Sequence, residues 1–205
     1  MDGPAPYSRA VAGVRERLAQ GHVPPGASLV VGEIAQALDL SPTPVREALA
    51  RLAGEGIIED RRGKGYFAWP LTASDILELY QMRHGYLRLA LEFWTFRGAW
   101  IGTRRVITDG GGLPGGAHAL FDQIVAGSGN QILWDVYGRH VERMALLHRI
   151  EGDLLDQRDE EASALQSDFE GADLNALLSS LQAYHDRRQH WAGVFAGAAQ
   201  NFSYR

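Results

Sequence analysis

One tetrapeptide, Ser41-Pro42-Thr43-Pro44, constrains the fold of this chain more than any other feature. Serine is a favoured N-cap residue, and proline is tolerated in the first helical turn because the N–H groups there have no partner within the helix. Apolar residues then follow at helical spacing, at Val45, Ala48, Leu49 and Leu52. The pattern predicts an amphipathic helix that begins directly after Ser41.

The residues before this helix predict two more helices. Residues 7–20 carry apolar side chains at helical spacing, and Gly21 ends that run. Residues 32–38 predict a second, shorter helix, and Asp39-Leu40 supply a tight turn into the helix that follows Ser41. Two helices joined by such a short turn are typical of a helix-turn-helix.

The residues after this helix predict a hairpin. Residues 57–59 and 66–69 read as short strands, and the sequence Asp-Arg-Arg-Gly-Lys-Gly at 60–65 forms a basic tip between them. The whole N-terminal series is a winged helix-turn-helix, with three helices and a small β-hairpin. A helix fits the major groove of DNA, so the pattern indicates a DNA-binding domain.

The second half of the chain is predicted to be entirely helical. Pro70-Leu71 marks the domain joint, and Thr72 with Asp75 matches a capping box that starts a long helix. This long helix is predicted to run to about Trp100, and the glycine-rich residues 109–116 must break any helix. Further helices are predicted at residues 117–127, 130–151, 158–170 and 173–196. We therefore expect a mostly α protein, with a winged helix-turn-helix at 1–71 and an all-α bundle at 72–205.

Composition narrows the class of protein. The chain has no cysteine, which excludes disulfides and thiolate metal sites. Residues 1–71 hold 8 basic and 8 acidic side chains, whereas the whole net charge of −5 lies in the remainder. A DNA-binding protein needs only a local basic face, and the acidic half would be kept away from phosphate. No apolar run approaches ~18 residues and no signal peptide is evident, so we expect a cytoplasmic protein without membrane contact.

Sequence motifs of catalysis are missing. The chain contains no G-x-S-x-G nucleophile elbow, no H-E-x-x-H motif and no cysteine nucleophile. The glycine-rich stretch 110–116 lacks the Lys-Ser/Thr pair of a phosphate-binding loop. We do not expect an enzyme.

The N-terminal domain resembles the GntR family of bacterial transcription regulators. The matching residues are Gly21, Pro25-Gly26, Leu29, Glu33-Ile34-Ala35, Leu38, the run from Ser41 to Leu49, Leu52, Glu55-Gly56-Ile57-Ile58 and Arg62-Gly63-Lys64-Gly65. The resemblance implies that the helix after Ser41 reads operator DNA and that the hairpin contacts a neighbouring groove or the backbone. The residues it assigns to DNA are Ser41, Thr43, Pro44, Arg46, Arg51, Arg62, Gly63 and Lys64. Many relatives have Arg where this chain has Pro42, so one base contact is expected to differ.

The helical half resembles the effector-binding FCD domain of the FadR-like branch. The matching features are Arg83 after Leu79-Tyr80, Ser128-Gly129-Asn130 and Gly171-Ala172-Asp173. In that family an Asp and three His commonly hold a divalent metal, but the aligned positions here are Ala117, Phe121, Ala162 and Tyr184. His118 and His185 each lie one residue away, which turns a helical side chain by ~100°. We therefore expect a degenerate, shortened effector domain with no metal or other cofactor.

An effector site remains an expectation. The guanidinium of Arg83 offers a bidentate fork for a small carboxylate, and Tyr80 and Tyr184 would line the same pocket. An ion pair between Arg83 and a neighbouring acid is the alternative, with the aromatic residues serving as core.

Together these features predict a sequence-specific regulator, acting as a repressor. A single recognition helix reads only a few base pairs, so we expect a homodimer on a two-fold operator. A small organic-acid effector would shift the relative placement of the two recognition helices. The alternative is a DNA-binding regulator whose second half only dimerises and binds neither metal nor ligand.

Overall fold

A computed structural model describes residues 5–96 and 116–201. The chain divides into two compact units. The first combines Met1–Ile76 with Arg139–Asp153 and Gly193–Arg205, and the second combines Leu77–Gly138 with Leu154–Ala192. The first unit thus includes two segments from the second half of the chain.

The N-terminal elements form a winged helix-turn-helix, as the sequence predicts. Helix α1 spans Pro6–Ala19, α2 spans Val31–Leu38 and α3 spans Pro42–Gly54. Strands β1 (Glu59–Arg61) and β2 (Gly65–Phe67) follow. The apolar faces of these elements share one core, which includes Val14, Ile34, Val45, Leu49, Leu52 and Ile58.

The hairpin is tied to the segment before α2. Strands β1 and β2 are antiparallel, with Glu59 opposite Phe67 and Arg61 opposite Gly65. On the other edge of β2, Ser28 bridges to Phe67, and the amide of Leu29 donates to the Tyr66 carbonyl at 2.8 Å. The extended residues before α2 therefore act as a third strand that holds the wing.

All later elements are helices. They are α4 (Ala73–Phe96), α5 (Gly116–Gly127), α6 (Gln131–Arg143), α7 (Ala145–Leu154), α8 (Arg158–Glu170), α9 (Leu174–His190) and α10 (Ala192–Asn201). The predicted capping box is confirmed, because the Thr72 amide donates to Asp75 Oδ2 at 2.8 Å and the Asp75 amide donates to Thr72 Oγ1 at 3.2 Å. Asn130 caps α6 through the amide of Leu133 at 3.0 Å.

Two of the predicted helices were wrong in extent. The helix predicted at 130–151 is divided at Met144, whose amide donates to the i−3 carbonyl of Val141 at 2.9 Å and so tightens the turn. The helix predicted at 173–196 is divided at Trp191, where the backbone turns to φ −87° and ψ 2°. The predicted extension of α4 to Trp100 and most of the glycine-rich break at 109–116 lie outside the described residues.

The core of the second unit contains one close contact between α4 and α5. The indole N–H of Trp94 donates to the Ile124 carbonyl at 2.9 Å, and its ring lies edge-on to Phe169 with centroids 6.1 Å apart. A Cβ placed on Gly127 would lie 1.6 Å from Trp94 Cζ2. Glycine at 127 is therefore required for the buried indole to pack there.

Replacing Gly127 with alanine is expected to destabilise the protein. The buried indole has to move or α5 has to shift, and overpacking of this kind costs about 1–3 kcal/mol. Gly138→Ala in α6 is the matched control, since a Cβ there meets nothing within 4 Å and alanine should stabilise a helix by roughly 0.5–1 kcal/mol. Thermal and urea unfolding of the two variants should shift in opposite directions. Equal stability of both variants would contradict this packing.

Among the described residues, none of the helices has the length and apolar character needed to span a bilayer.

Candidate nucleic-acid interface

The N-terminus of α3 is exposed and carries side chains suited to DNA. Ser41 occupies the N-cap position, as predicted, but its hydroxyl makes no capping hydrogen bond. Ser41 and Thr43 are exposed and Pro44 is half-buried. The helix places its first N–H groups and positive dipole end beside these hydroxyls, an arrangement that suits phosphate oxygens.

The burial pattern of α3 separates a packing face from a reading face. Val45, Ala48, Leu49 and Leu52 are fully buried. Thr43, Arg46, Glu47 and Ala50 lie on the opposite side and are exposed. Within the described residues the Arg46 guanidinium has no hydrogen bond or ion pair. Arg46 is therefore available to a base edge, where Arg can bridge O6 and N7 of guanine.

Arg51 has intramolecular partners, unlike Arg46. Its Nε donates to Glu55 Oε1 at 2.6 Å, and its Nη1 donates to the Tyr7 hydroxyl at 3.2 Å. These hydrogen bonds raise the pKa of Arg51 above its ordinary value, the one to Glu55 most. A phosphate contact by Arg51 must compete with Glu55 for the same guanidinium.

The wing presents two exposed cations at its tip. Gly63 has φ +74° and Gly65 has φ +94°, and the Lys64 amide donates to the Arg61 carbonyl at 2.7 Å to close the turn. The side chains of Arg62 and Lys64 are exposed, and neither has an ion pair to a described residue. Arg61 differs, because its guanidinium lies 4.2 Å from the Phe67 ring centroid and bonds to Glu59.

Comparison with known proteins identifies this arrangement. Residues 6–67 match the family profile of bacterial regulatory proteins of the gntR family. The N-terminal domain is a GntR winged helix-turn-helix. The match covers α1, the helix-turn-helix and the wing, and it includes every residue to which the sequence assigned DNA contact.

Curated relatives share this GntR domain. The Nta operon transcriptional regulator of Aminobacter aminovorans is 42% identical over 62 residues, which cover 30% of either chain. A probable D-xylose utilization operon transcriptional repressor of Paenarthrobacter nicotinovorans is 41% identical over 66 residues, 32% of this chain and 29% of that protein. The match thus spans less than a third of the length of each.

Solved structures resemble more than nine-tenths of the chain. A putative GntR transcriptional regulator from Rhodococcus sp. RHA1 has a TM-score of 0.61 at 20% identity, covering 91% of this chain and 96% of that one. The E. coli McbR/YncC structure has a TM-score of 0.63 at 16% identity, covering 93% and 98%. At these identities the likeness establishes the fold, with a GntR domain followed by a helical domain.

The wing of the GntR domain provides one prediction. Lys64→Ala and Arg62→Ala should each weaken binding to all duplexes alike and reduce the slope of log affinity against log salt by about 1 for each protein copy bound, because each copy would lose one phosphate contact. Arg61→Ala is the matched control, since its guanidinium already packs on the hairpin. Fluorescence anisotropy across a salt series measures the slope. An Arg61 effect as large as that of Lys64 would contradict this assignment.

Ion pairs within the first unit form a network around Glu55, next to the end of α3. This network was not predicted from the sequence. Glu55 accepts from both Arg51 and Arg15, the latter at 2.8 Å, and Arg15 Nε lies 2.9 Å from Glu142 Oε2. Arg143 stacks over the Trp69 ring at 4.5 Å from its centroid. The only signal in the sequence was the i,i+4 spacing of Arg51 and Glu55.

The predicted effector residues come together in the second unit. Arg83, Tyr80 and Tyr184 are all buried, and the Arg83 guanidinium lies 5.0 Å and 5.4 Å from the centroids of the two tyrosine rings. Phe121 contributes a third ring at 5.3 Å. The cation is thus surrounded by π faces, and a ligand would have to displace packed rings to reach it.

His185 completes this cluster. Its Nδ1 lies 2.6 Å from the Leu181 carbonyl, which can only accept, so Nδ1 carries the proton. Its Nε2 therefore accepts the hydrogen bond from Arg83 Nε at 3.3 Å. Burial, the Arg83 charge and weaker effects of His84 and Arg188 hold the pKa of His185 well below its ordinary value, against the opposing Leu181 bond.

The four positions aligned with the metal ligands of the FCD family carry side chains that do not suit a divalent metal ion. Phe121 and Tyr184 pack edge to face with centroids 5.1 Å apart, and Ala117 and Ala162 carry no donor atom. Both nitrogens of His185 are already engaged. The His118 ring lies edge-on to Phe121 at 6.1 Å. Phe121 and Tyr184 thus pack as aromatic side chains at two of the positions where the FCD family carries its metal ligands.

Proposed function

We propose that this chain is a sequence-specific transcription regulator that binds operator DNA in the cytoplasm, and not an enzyme. The observation that carries the proposal is the exposed reading face of α3 in a GntR domain, with Arg46 available at the helix N-terminus. Ser41, Thr43 and Pro44 position the helix against phosphate and base edges, and Arg51, Arg62, Gly63 and Lys64 add backbone contacts.

We infer that it acts as a homodimer. One α3 helix covers few base pairs, so two copies on a two-fold operator supply the specificity that one copy lacks. Repression is the expected output, since an operator-bound dimer blocks access to the promoter. A relative described as a probable repressor of a D-xylose utilization operon agrees with this direction.

We further propose that a small-molecule effector switches DNA binding. The helical half would act as an FCD-like domain of the FadR branch, in degenerate form, and a small organic acid would shift the population of DNA-competent dimers. Arg83, Tyr80 and Tyr184 are the residues proposed for this response. Their burial means that they respond to a ligand through neighbouring side chains or after opening of the cluster.

A second candidate function rests on the same burial. If the cluster around Arg83 never opens and no other site exists, the helical half serves only as a dimerisation module without ligand or metal. Thermal unfolding with small carboxylates, with and without Zn²⁺ or Ni²⁺, separates the two, because a ligand that binds the folded state raises its stability.

Selection from a library of random 30-base-pair duplexes tests the main proposal. The full chain should enrich a two-fold symmetric sequence and bind it at least about 1,000-fold more tightly than a scrambled duplex. Sedimentation velocity should give two chains per duplex. Absence of enrichment would contradict sequence-specific binding, and a 1:1 complex would contradict the dimer.

A further inference from the structure

A groove that carries charged and polar side chains opens between α4 and α9 on the second unit. Its lining consists of His84, Arg88, Leu178, Ser179, Gln182, Ala183 and Asp186, and it encloses about 460 Å³. That volume lies within the range of ~300–1,000 Å³ typical of small-molecule sites. None of these residues belongs to the DNA-reading surface.

The groove carries one cation and one anion that do not pair with each other. Within the described residues Arg88 has no ion pair. Asp186 accepts from Gln182 Nε2 at 2.6 Å through Oδ1, and no described residue donates to its other oxygen. A simple carboxylate would meet Arg88 but would be repelled by Asp186, whereas a ligand with both charges would satisfy both side chains.

His84 lines the same groove and interacts electrostatically with both charges. Its pKa is lowered by burial first and then by the Arg88 charge, while Asp186 acts in the opposite direction. Its buried Nε2 has no hydrogen-bond partner among the described residues. A buried polar atom without a partner is costly, so this ring gains from a ligand that brings an acceptor or donor to the groove.

We propose that this groove binds a small zwitterion of the α-amino acid type. The ligand carboxylate pairs with Arg88 beside the His84 ring. The ammonium group pairs with Asp186 and with the oxygens of Gln182 and Ser179. Leu178 and Ala183 provide an apolar wall for the ligand side chain. The proposal rests on the effector switch proposed above, and it specifies the class of organic acid.

The same groove offers a path to the buried cluster. The His84 ring stacks on His185 with centroids 4.9 Å apart, and His185 accepts from Arg83. A ligand that reorients His84 therefore acts on the pair that sits between Tyr80, Phe121 and Tyr184. Arg83 responds as a positioning residue, without touching the ligand.

Calorimetric titration of the full chain, without DNA, with each of the twenty L-amino acids tests the proposal. At least one should bind with a dissociation constant below about 1 mM. Its 2-hydroxy or 2-keto acid analogue and its decarboxylated amine should each bind at least about tenfold more weakly, because each leaves one groove charge unpaired. Imidazole resonances of His84 and His185 should shift in NMR spectra only with the amino acid.

Variants locate the site. Arg88→Gln and Asp186→Asn should each weaken binding of the amino acid at least about tenfold. Asp186→Asn should strengthen binding of the hydroxy acid analogue, because it removes the repulsion between the two carboxylates. Glu92→Gln, on an exposed part of α4 outside the groove, is the matched control and should bind normally.

Three results would overturn the assignment: no amino acid binds below about 1 mM, the hydroxy acids bind as well as the amino acids, or the groove variants bind like the control. These measurements contain no DNA, so their failure is distinct from a failure of operator binding.

Discussion

Replacing Arg46 with alanine is expected to lower affinity for the selected operator by roughly 100-fold. A bidentate contact between Arg and guanine discriminates by about 1–3 kcal/mol, and the homodimer loses it at both half-sites. The affinity for scrambled DNA should hardly change, since that binding depends on phosphate contacts elsewhere. The selected duplex and a scrambled duplex, titrated by fluorescence anisotropy, give both quantities.

The controls for Arg46 lie in the same domain. Arg61→Ala removes a cation that packs on Phe67, so it should leave both affinities unchanged. Lys64→Ala should weaken both duplexes together. Because Arg46 is exposed and bonded to no described residue, its replacement should not affect folding, which unfolding curves would verify. Equal loss on both duplexes for Arg46→Ala would make it a phosphate contact instead of a base contact.

Acid is expected to destabilise the second unit through His185. The pKa of His185 is depressed in the folded state, whereas its ordinary pKa is near 6.5. Below about pH 6.5 the unfolded chain therefore binds more protons than the folded chain does. Stability should then fall as the pH drops below about 6.5, by roughly 1.4 kcal/mol per pH unit until the folded pKa is reached. Between pH 6.5 and pH 5 this linkage limits the loss to at most about 2 kcal/mol.

His185→Gln tests this directly. Glutamine can still accept a hydrogen bond from Arg83 but does not titrate, so urea unfolding of the variant should lose most of the dependence on pH between 5 and 6.5. His84, whose pKa is also lowered, accounts for a smaller remainder. His22→Gln, on the exposed surface of the first unit, should retain the wild-type profile. Identical profiles for His185→Gln and wild type would contradict a neutral, buried His185.

The DNA-binding domain could be predicted from the sequence because its signals are local. Ser41 and the two prolines fix the start of α3, glycines at 63 and 65 fix the wing, and spacing alone separates the buried Leu49 from the exposed Arg46. Each of these signals lies within a few residues of the feature it determines.

The helical half was predictable in class but not in detail. Neither Met144 nor Trp191 is a helix breaker by composition, so the divisions they mark depend on tertiary packing. The hydrogen bond between Arg83 and His185 joins residues that are 102 positions apart, and no local sequence pattern predicts it. The Trp94 indole against Gly127 likewise appears only when α4 and α5 are packed.

Parallel selections test most directly whether the N-terminal face of α3 reads base sequence. Wild type and Arg46→Ala would each be used to select from the same random duplex library. The wild type should enrich a two-fold motif, and the variant should lose preference at one symmetric pair of positions while keeping the half-site spacing. The same motif from both proteins would contradict the assignment of α3 as the reading helix.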